Sequence, residues 1–375
     1  MNFELSDEQR LLQEAARDAL SRRPTVAAAR EALDGGERLD LWDTAREAGW
    51  PGLMIREAHG GAGLGALDAM LVAAECGRVL AGAFLLGHVP ATALLDAAAG
   101  DRGDERLERL AEGEARAAFV PARPPGDLDP DWTVDPRLGH RRAPAPRVDA
   151  EGRLSGTAWW VPDAPGAELL VVAAIDPEGR AVAVAVEDGA EVEPVTRYDA
   201  TRPLGHVALD GAVGERLDVA DDQLRSAWYL AQGLIAAESL GTVEASLELS
   251  VAYAKERFTF GRPIGSYQAV KHALVEVLRL AENARSLVYY AGWAHRDAPP
   301  EFALAASAAR VAAGKALDFA TRELISVHGG IGATWEHDAP LYFRRAQLSR
   351  RLLGGDAGST DRVEEELLDT ARAAA

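Results

Sequence analysis

Hydrophobic and polar positions alternate with two different periods, and the change of period divides the chain into three. From Ser6 to about Leu110 the apolar residues return every three or four positions. Leu11, Leu12, Ala15, Ala19 and Leu20 fall on one face of an amphipathic helix. Ser6-Asp-Glu-Gln9 just before them can form a capping box, with Ser6 capping and Gln9 reaching back. Further helices are expected near Leu39 to Gly49, from Ala66 to Leu80 and from Val89 to Ala99. His59-Gly-Gly-Ala-Gly-Leu-Gly65 permits only the loose spacing G-x-G-x-x-A, through Gly61, Gly63 and Ala66. A helix and not a strand precedes it, so it reads as a turn between helices rather than a phosphate loop.

Between Ala115 and about Val219 short apolar or β-branched runs replace the helical spacing. Ala117–Val120, Leu169–Ala173, Ala181–Val186 and His206–Leu209 have strand length and are punctuated by Pro, Gly and Asp. Asp176-Pro-Glu-Gly179 reads as a hairpin turn. A largely antiparallel β-domain is expected, with an irregular connection from Arg123 to Arg147, dense in Pro, Asp and Arg.

Helical spacing resumes at Asp222. Leu240, Val243, Leu247, Val251 and Ala254 mark one helix, and Val270, Leu274, Val277, Ala281, Ala284 and Val288 a second. Pro300 opens a third running to Val327, and Pro340 a fourth that ends before Gly354-Gly355. Short connections between four helices predict an antiparallel bundle. The expected fold is therefore mixed α and β: a helical domain over 1–114, a β-domain over 115–221 and a four-helix bundle over 222–375.

Composition narrows the function classes. The 48% hydrophobic content is that of a globular chain, and 375 residues can bury a large core. A formal charge of −19 argues against a nucleic-acid partner, which needs a basic surface. Cys76 is the only cysteine, which removes internal disulfides and cysteine zinc sites. No run approaches the roughly 20 apolar residues of a membrane span, and Met-Asn-Phe-Glu-Leu lacks a signal-peptide pattern. A cytoplasmic protein is expected.

The chemistry concentrates in Tyr253–His272, the end of one long helix, a tight loop and the start of another. Arg257 falls in the last helical turn and Gly261 at a plausible cap, while Ser266 is placed to cap the next helix. The string R-x-x-F-G-x-P-I-x-x-x-Q resembles the signature loop of the acyl-CoA dehydrogenase family. Val327-His-Gly-Gly-Ile-Gly-Ala-Thr-Trp-Glu-His337 resembles that family's Gly-Gly-x-Gly loop. Phe3–Gln9 with Leu41-Trp42 and Gly60-Gly61 is similar to its opening domain, and Tyr198–Arg202 to the segment that closes its β-domain.

The resemblance implies FAD, an acyl-CoA thioester and α,β-dehydrogenation, with a carboxylate taking the α-proton and hydride passing to the flavin. It also implies a FAD shared across a subunit interface, and an electron-transfer flavoprotein or similar acceptor. Carried onto this chain, Arg257 would pair with a neighbour's FAD diphosphate. Thr259 would add a hydroxyl, Phe260 would pack on the cofactor and Gln268 would give a polar contact. Gly329 and Gly330 would let the backbone approach it. Trp160 would back the flavin ring.

Two departures stand beside these matches. The family's base, a glutamate followed by Gly-Thr, falls at Leu353, with Asp356 the nearest acid. An alternative base position on the helix before the signature loop falls at Ala231, with Glu238 about two turns beyond. The family's flavin-binding string is reduced to Val120-Pro-Ala-Arg-Pro-Pro-Gly-Asp127, and the glutamine that precedes the Gly-Gly loop is Ser326. The expected part is thus the base-less subunit of a heterotetramer like those acting on steroid-derived acyl-CoA. The alternatives are a self-sufficient dehydrogenase using Asp356, a non-redox scaffold, and a flavin monooxygenase.

Overall fold

The computed structural model describes residues 4–121, 133–134, 142–143, 145–196 and 199–373. Most of the Arg123–Arg147 connection, most of the Val120–Asp127 string and Tyr198 lie outside these residues.

The N-terminal region holds α1 (Asp7–Ser21), α2 (Thr25–Leu33), α3 (Trp42–Glu47), α4 (Ala66–Arg78), α5 (Leu85–Ala99) and α6 (Glu105–Ala111). The capping box closes as expected: Gln9 N–H donates to Ser6 Oγ at 3.2 Å and Ser6 N–H to Gln9 Oε1 at 3.0 Å. The helix expected over 39–49 shrinks to the six residues of α3, and α2, not foreseen, fills the gap before it. α5 begins four residues early because its first turn finds a hydrogen-bond acceptor from outside. Asp163 Oδ2 accepts the Gly87 N–H at 2.7 Å, so a β-domain side chain caps a helix of the first domain. The His59–Gly65 segment is a turn between helices, as read.

The middle region builds β1 (Ala117–Val120), β2 (Thr133–Val134), β3 (Arg142–Ala143), β4 (Arg147–Val148), β5 (Leu154–Ser155), β6 (Thr157–Pro162), β7 (Leu169–Ile175), β8 (Ala181–Val186), β9 (Glu191–Pro194), β10 (Leu204–Ala208) and β11 (Glu215–Arg216). One sheet runs β11-β8-β7-β4-β5, with β1 also paired to β7; a second runs β6-β10-β9. Most pairs are antiparallel, but β1 and β4 both lie parallel to β7. The β7–β8 hairpin turns at Asp176–Gly179, where Asp176 Oδ1 accepts the N–H groups of Glu178 and Arg180 and Gly179 takes φ +81. The inner faces of both sheets share a core that includes Val172, Val184, Val161 and Val207.

The C-terminal region consists of α7 (Asp221–Glu256), the two-residue strands β12 (Phe258–Thr259) and β13 (Arg262–Pro263), α8 (Gln268–Asp297), α9 (Pro299–His328), α10 (Ala339–Ser349) and α11 (Gly355–Ala373). α11 is an addition to the four expected helices; its polar sequence, with three consecutive glutamates, hid its packing against α9. α4 lies across α7 closely enough that two glycines are obligatory. A Cβ on Gly241 would stand 1.8 Å from the Ala74 carbonyl oxygen, and one on Gly77 1.9 Å from that of Glu238.

A buried ionic cluster joins the three regions. Arg345 of α10 is fully buried and meets Asp199 Oδ2 at 3.0 Å, Glu238 of α7, Thr201, and the carbonyls of Leu80 and Ala81. Arg202 donates to Glu238 Oε1 at 2.7 Å and to Ser349 Oγ at 2.8 Å. Burial pulls the Arg345 guanidinium down to about 9, so it stays charged at neutral pH.

Candidate functional site

α7 ends at Glu256 because Arg257 turns extended (φ −78, ψ 120), with its N–H still donating to the Tyr253 carbonyl at 2.9 Å. The chain then forms a minimal hairpin. Phe258 pairs with Pro263 and Thr259 with Arg262, and Phe260-Gly261 is the two-residue turn, with φ +53 and +78. Two positive φ values in sequence match a type I′ turn, whose twist suits a hairpin. Gly261 therefore serves the hairpin and does not cap α7. Ile264 N–H closes the loop onto the Arg257 carbonyl at 2.7 Å, and Tyr267 Oη–H donates to the Thr259 carbonyl at 2.9 Å. The capping role expected of Ser266 is not taken up: Tyr267 precedes α8, and the Ser266 hydroxyl lies buried in the turn before it.

Phe260 is 93% exposed and Phe258 59%, so the hairpin holds two phenyl rings out to solvent. Arg257, Thr259 and Gln268 are exposed around them. Nothing among the described residues covers the rings, and an apolar tip ringed by polar groups is the mark of a contact surface.

The glycine loop lies beside the hairpin. Gly329–Ala333 make a single 3₁₀ turn after α9, and the His328 ring stacks on Tyr253 at 4.2 Å, one helical turn before Arg257. A Cβ at Gly329 or Gly330 would meet no atom within 4 Å, so the backbone there faces open space. Gly332 differs: its Cβ would strike the Ile325 carbonyl oxygen at 2.6 Å, a packing need. The structure thus brings Arg257, Thr259, Phe260, Gln268, Gly329 and Gly330 to one end of the bundle. Trp160 stands elsewhere, half-buried in β6 with φ +60. Its N–H meets His206 Nδ1 at 3.3 Å and its ring lies edge-on to that imidazole at 4.7 Å. A left-handed tryptophan is a strained residue held by the register shift in β10 between Gly205 and Val207.

The two positions where a base was sought contain no carboxylate. Leu353 is left-handed at φ +54 and only 7% exposed. Its carbonyl accepts from Gln232 Nε2 at 2.9 Å, while buried Arg310 donates to the carbonyls of Ser349 at 2.6 Å and Leu352 at 3.2 Å. These straps fix the backbone between α10 and α11. Asp356 opens α11 and is engaged on both sides, by Arg350 Nε at 3.1 Å and by Arg310 at 3.7 Å. Ala231 is fully buried in α7, and Glu238 belongs to the ionic cluster. The straps escaped sequence reading, although a lone arginine in the small-residue run Ala305-Ala-Ser-Ala-Ala-Arg310 was a visible signal.

The match to known proteins covers both helical regions. The N-terminal domain model of acyl-CoA dehydrogenase matches residues 6–114 and the C-terminal domain model residues 226–368. The chain belongs to the acyl-CoA dehydrogenase family. Acyl-CoA dehydrogenase IpdE2 of Mycobacterium tuberculosis is 34% identical over 97% of this chain and 98% of its own length. Acyl-CoA dehydrogenase FadE34 of the same organism is 33% identical over 93% of this chain but 46% of its own length. Among solved structures, a variant of the Tcur3481–Tcur3483 steroid ACAD superposes with a TM-score of 0.84 at 27% identity, covering 98% of this chain and 99% of that one. The ChsE4–ChsE5 complex of Mycobacterium tuberculosis shares the fold, with a TM-score of 0.82 at 24% identity, over 98% and 99%.

Acyl-CoA dehydrogenases are FAD-dependent oxidoreductases, and the hairpin end of this family member suits part of that cofactor. The open backbone at Gly329-Gly330, the exposed Arg257 guanidinium and the solvent-facing Phe260 ring form a surface with donors, a cation and a stacking face. Among the described residues no helix is long and apolar enough to cross a membrane.

Proposed function

We propose that this acyl-CoA dehydrogenase family chain is the base-less subunit of a two-component enzyme. It completes the FAD site of a related partner that carries out the α,β-dehydrogenation of a bulky, steroid-type acyl-CoA. One observation carries the reading. The groups a subunit lends to its neighbour are intact and point outward, whereas Leu353 and Ala231 occupy both base positions and Asp356 is tied to two arginines. Arg257 would hold the diphosphate, Gly329 and Gly330 would admit it to the backbone, and Phe258 and Phe260 would be covered by the partner. Bound FAD supplies the hydride acceptor. Taking the α-proton falls to the partner, and an electron-transfer flavoprotein or similar acceptor would reoxidise the complex. The names of the relatives, a steroid ACAD and a heteromeric complex among them, support the substrate class and the assembly.

The test is flavin absorbance and turnover of the chain purified alone and after co-expression with a related subunit. The reading expects little flavin and negligible dehydrogenation alone, and both in the complex. Full activity from the lone chain would sink it.

A second reading, a self-sufficient dehydrogenase, is favoured by a cavity of about 430 Å³ between the starts of α7 and α9. Arg225, Tyr229, His295 and Arg362 line it, and the buried Arg225 Nε has no hydrogen-bond partner among the described residues. Such a pocket suits the phosphate end of a CoA thioester. Tight CoA binding by the lone chain, abolished in Arg225→Gln, would favour this reading.

A further inference from the structure

We propose that His337, packed beside His328, is a proton switch whose protonation loosens the Gly329–Ala333 turn and the start of α10. The two rings stand 4.3 Å apart, and His328 is held from its other side by Tyr253. Their hydrogen bonds assign each nitrogen a role. His328 Nδ1 lies 2.7 Å from the Leu324 carbonyl and so carries a proton there, leaving Nε2 as the basic atom. His337 Nδ1 accepts the Ala339 N–H at 3.0 Å, so its lone pair holds the first residue of α10. Charging His328 leaves its bond to Leu324 in place. Charging His337 puts a hydrogen on the atom that receives Ala339 N–H, setting donor against donor.

The surroundings bias when this happens. The groups facing the pair are Tyr253 from α7, Arg30 from α2, Asp338 at the head of α10, and each imidazole to the other. Arg30 binds Asp338 at 2.5 Å and also donates to the Trp335 carbonyl, so it ties the far side of the turn to α2. Burial first, then His328 and Arg30, push the His337 titration below the ordinary histidine range, and Asp338 only partly opposes them. Two imidazoles at this distance repel when both are charged, which opposes charging His337. Consequences for a cofactor at Gly329-Gly330 rest on the function proposed above, but the switch does not.

The experiment uses the lone full-length chain: imidazole proton NMR titration together with hydrogen exchange of residues 329–341. Wild type should lose protection across that segment by about tenfold, corrected for intrinsic rates, between pH 7 and pH 5, a change equivalent to one titration unit. His337→Asn keeps an oxygen to accept the Ala339 N–H, so its protection should be the same at both pH values. In His328→Gln the His337 midpoint should rise, because one of the groups that depress it is removed. Acid loosening that persists in His337→Asn would overturn the proposal, as would a His337 midpoint unmoved by His328→Gln.

Discussion

Phe260 is the residue at which local backbone preference and proposed function conflict most openly. It holds φ +53 at the first turn position of the β12–β13 hairpin, where asparagine or glycine is the favoured choice. A left-handed backbone costs an ordinary L-residue roughly 1–2 kcal/mol, and asparagine escapes much of that. The ring makes up for none of it within its own chain, since it is 93% exposed. Phe260→Asn should therefore leave the melting temperature of the lone chain unchanged or raise it, by up to about 1 kcal/mol in stability. In the assembled enzyme the phenyl would be covered, and burying such a side chain contributes about 1.5–3 kcal/mol. Losing that weakens FAD retention and partner affinity by roughly 10- to 150-fold. The assay pairs a thermal melt of the lone chain with a flavin titration of the co-purified complex. A destabilised lone chain would mean that the ring packs on its own subunit. Unchanged flavin affinity would mean that the hairpin tip touches neither cofactor nor partner.

Gly330→Val should leave the lone chain folded, because no atom stands within 4 Å of its added Cβ, but should lower flavin occupancy of the complex; equal occupancy by absorbance would refute the open-backbone role. Asp356→Asn removes the acid beside buried Arg310 and one of the two acids on Arg350, which keeps Asp318 at 2.8 Å, so a loss of about 1–3 kcal/mol in denaturant unfolding is expected, with no change in the rate of the assembled enzyme. A dead enzyme of normal stability would point instead to Asp356 as the base. Asp163 responds to pH. Burial pushes its carboxyl up to about 6 from 3.8, so the folded chain binds this proton more tightly than the unfolded one. Its contribution is complete below pH 3.8 and is lost as pH rises through 6. Asp163→Asn keeps an acceptor for Gly87 N–H and should gain up to about 3 kcal/mol over wild type at pH 8 and nothing at pH 4, measured by denaturant midpoints.

The order of helical, sheet and helical regions was legible because each buries one continuous face, and periodicity reports a face directly. Leu240, Val243, Leu274, Val277 and Ala284 all lie in the core of the bundle they were assigned to. The signature and glycine loops were legible through their resemblance to the family's own loops. What the sequence hid depends on pairing across long separations. That Arg345, Glu238, Asp199 and Arg202 meet in one buried cluster was not legible, because only the packing of α10 on α7 brings them together. α2 is apolar but only nine residues long, too short to show a period, and α11 is short on apolar residues. The six-residue hairpin was mistaken for a cap because its glycine follows the helix at nearly the same distance.

The ionic cluster around Arg345 also limits how this chain can be recombined. Its members come from the α4–α5 loop, the stretch before β10, α7 and α10, one guanidinium serving all of them. A chimera whose grafted β-domain carried a different residue at position 199 or 201 would strand a buried cation. Exchange would succeed only if position 345 travelled with the graft. The three regions are separable by their periodicity, but they are inherited as one part.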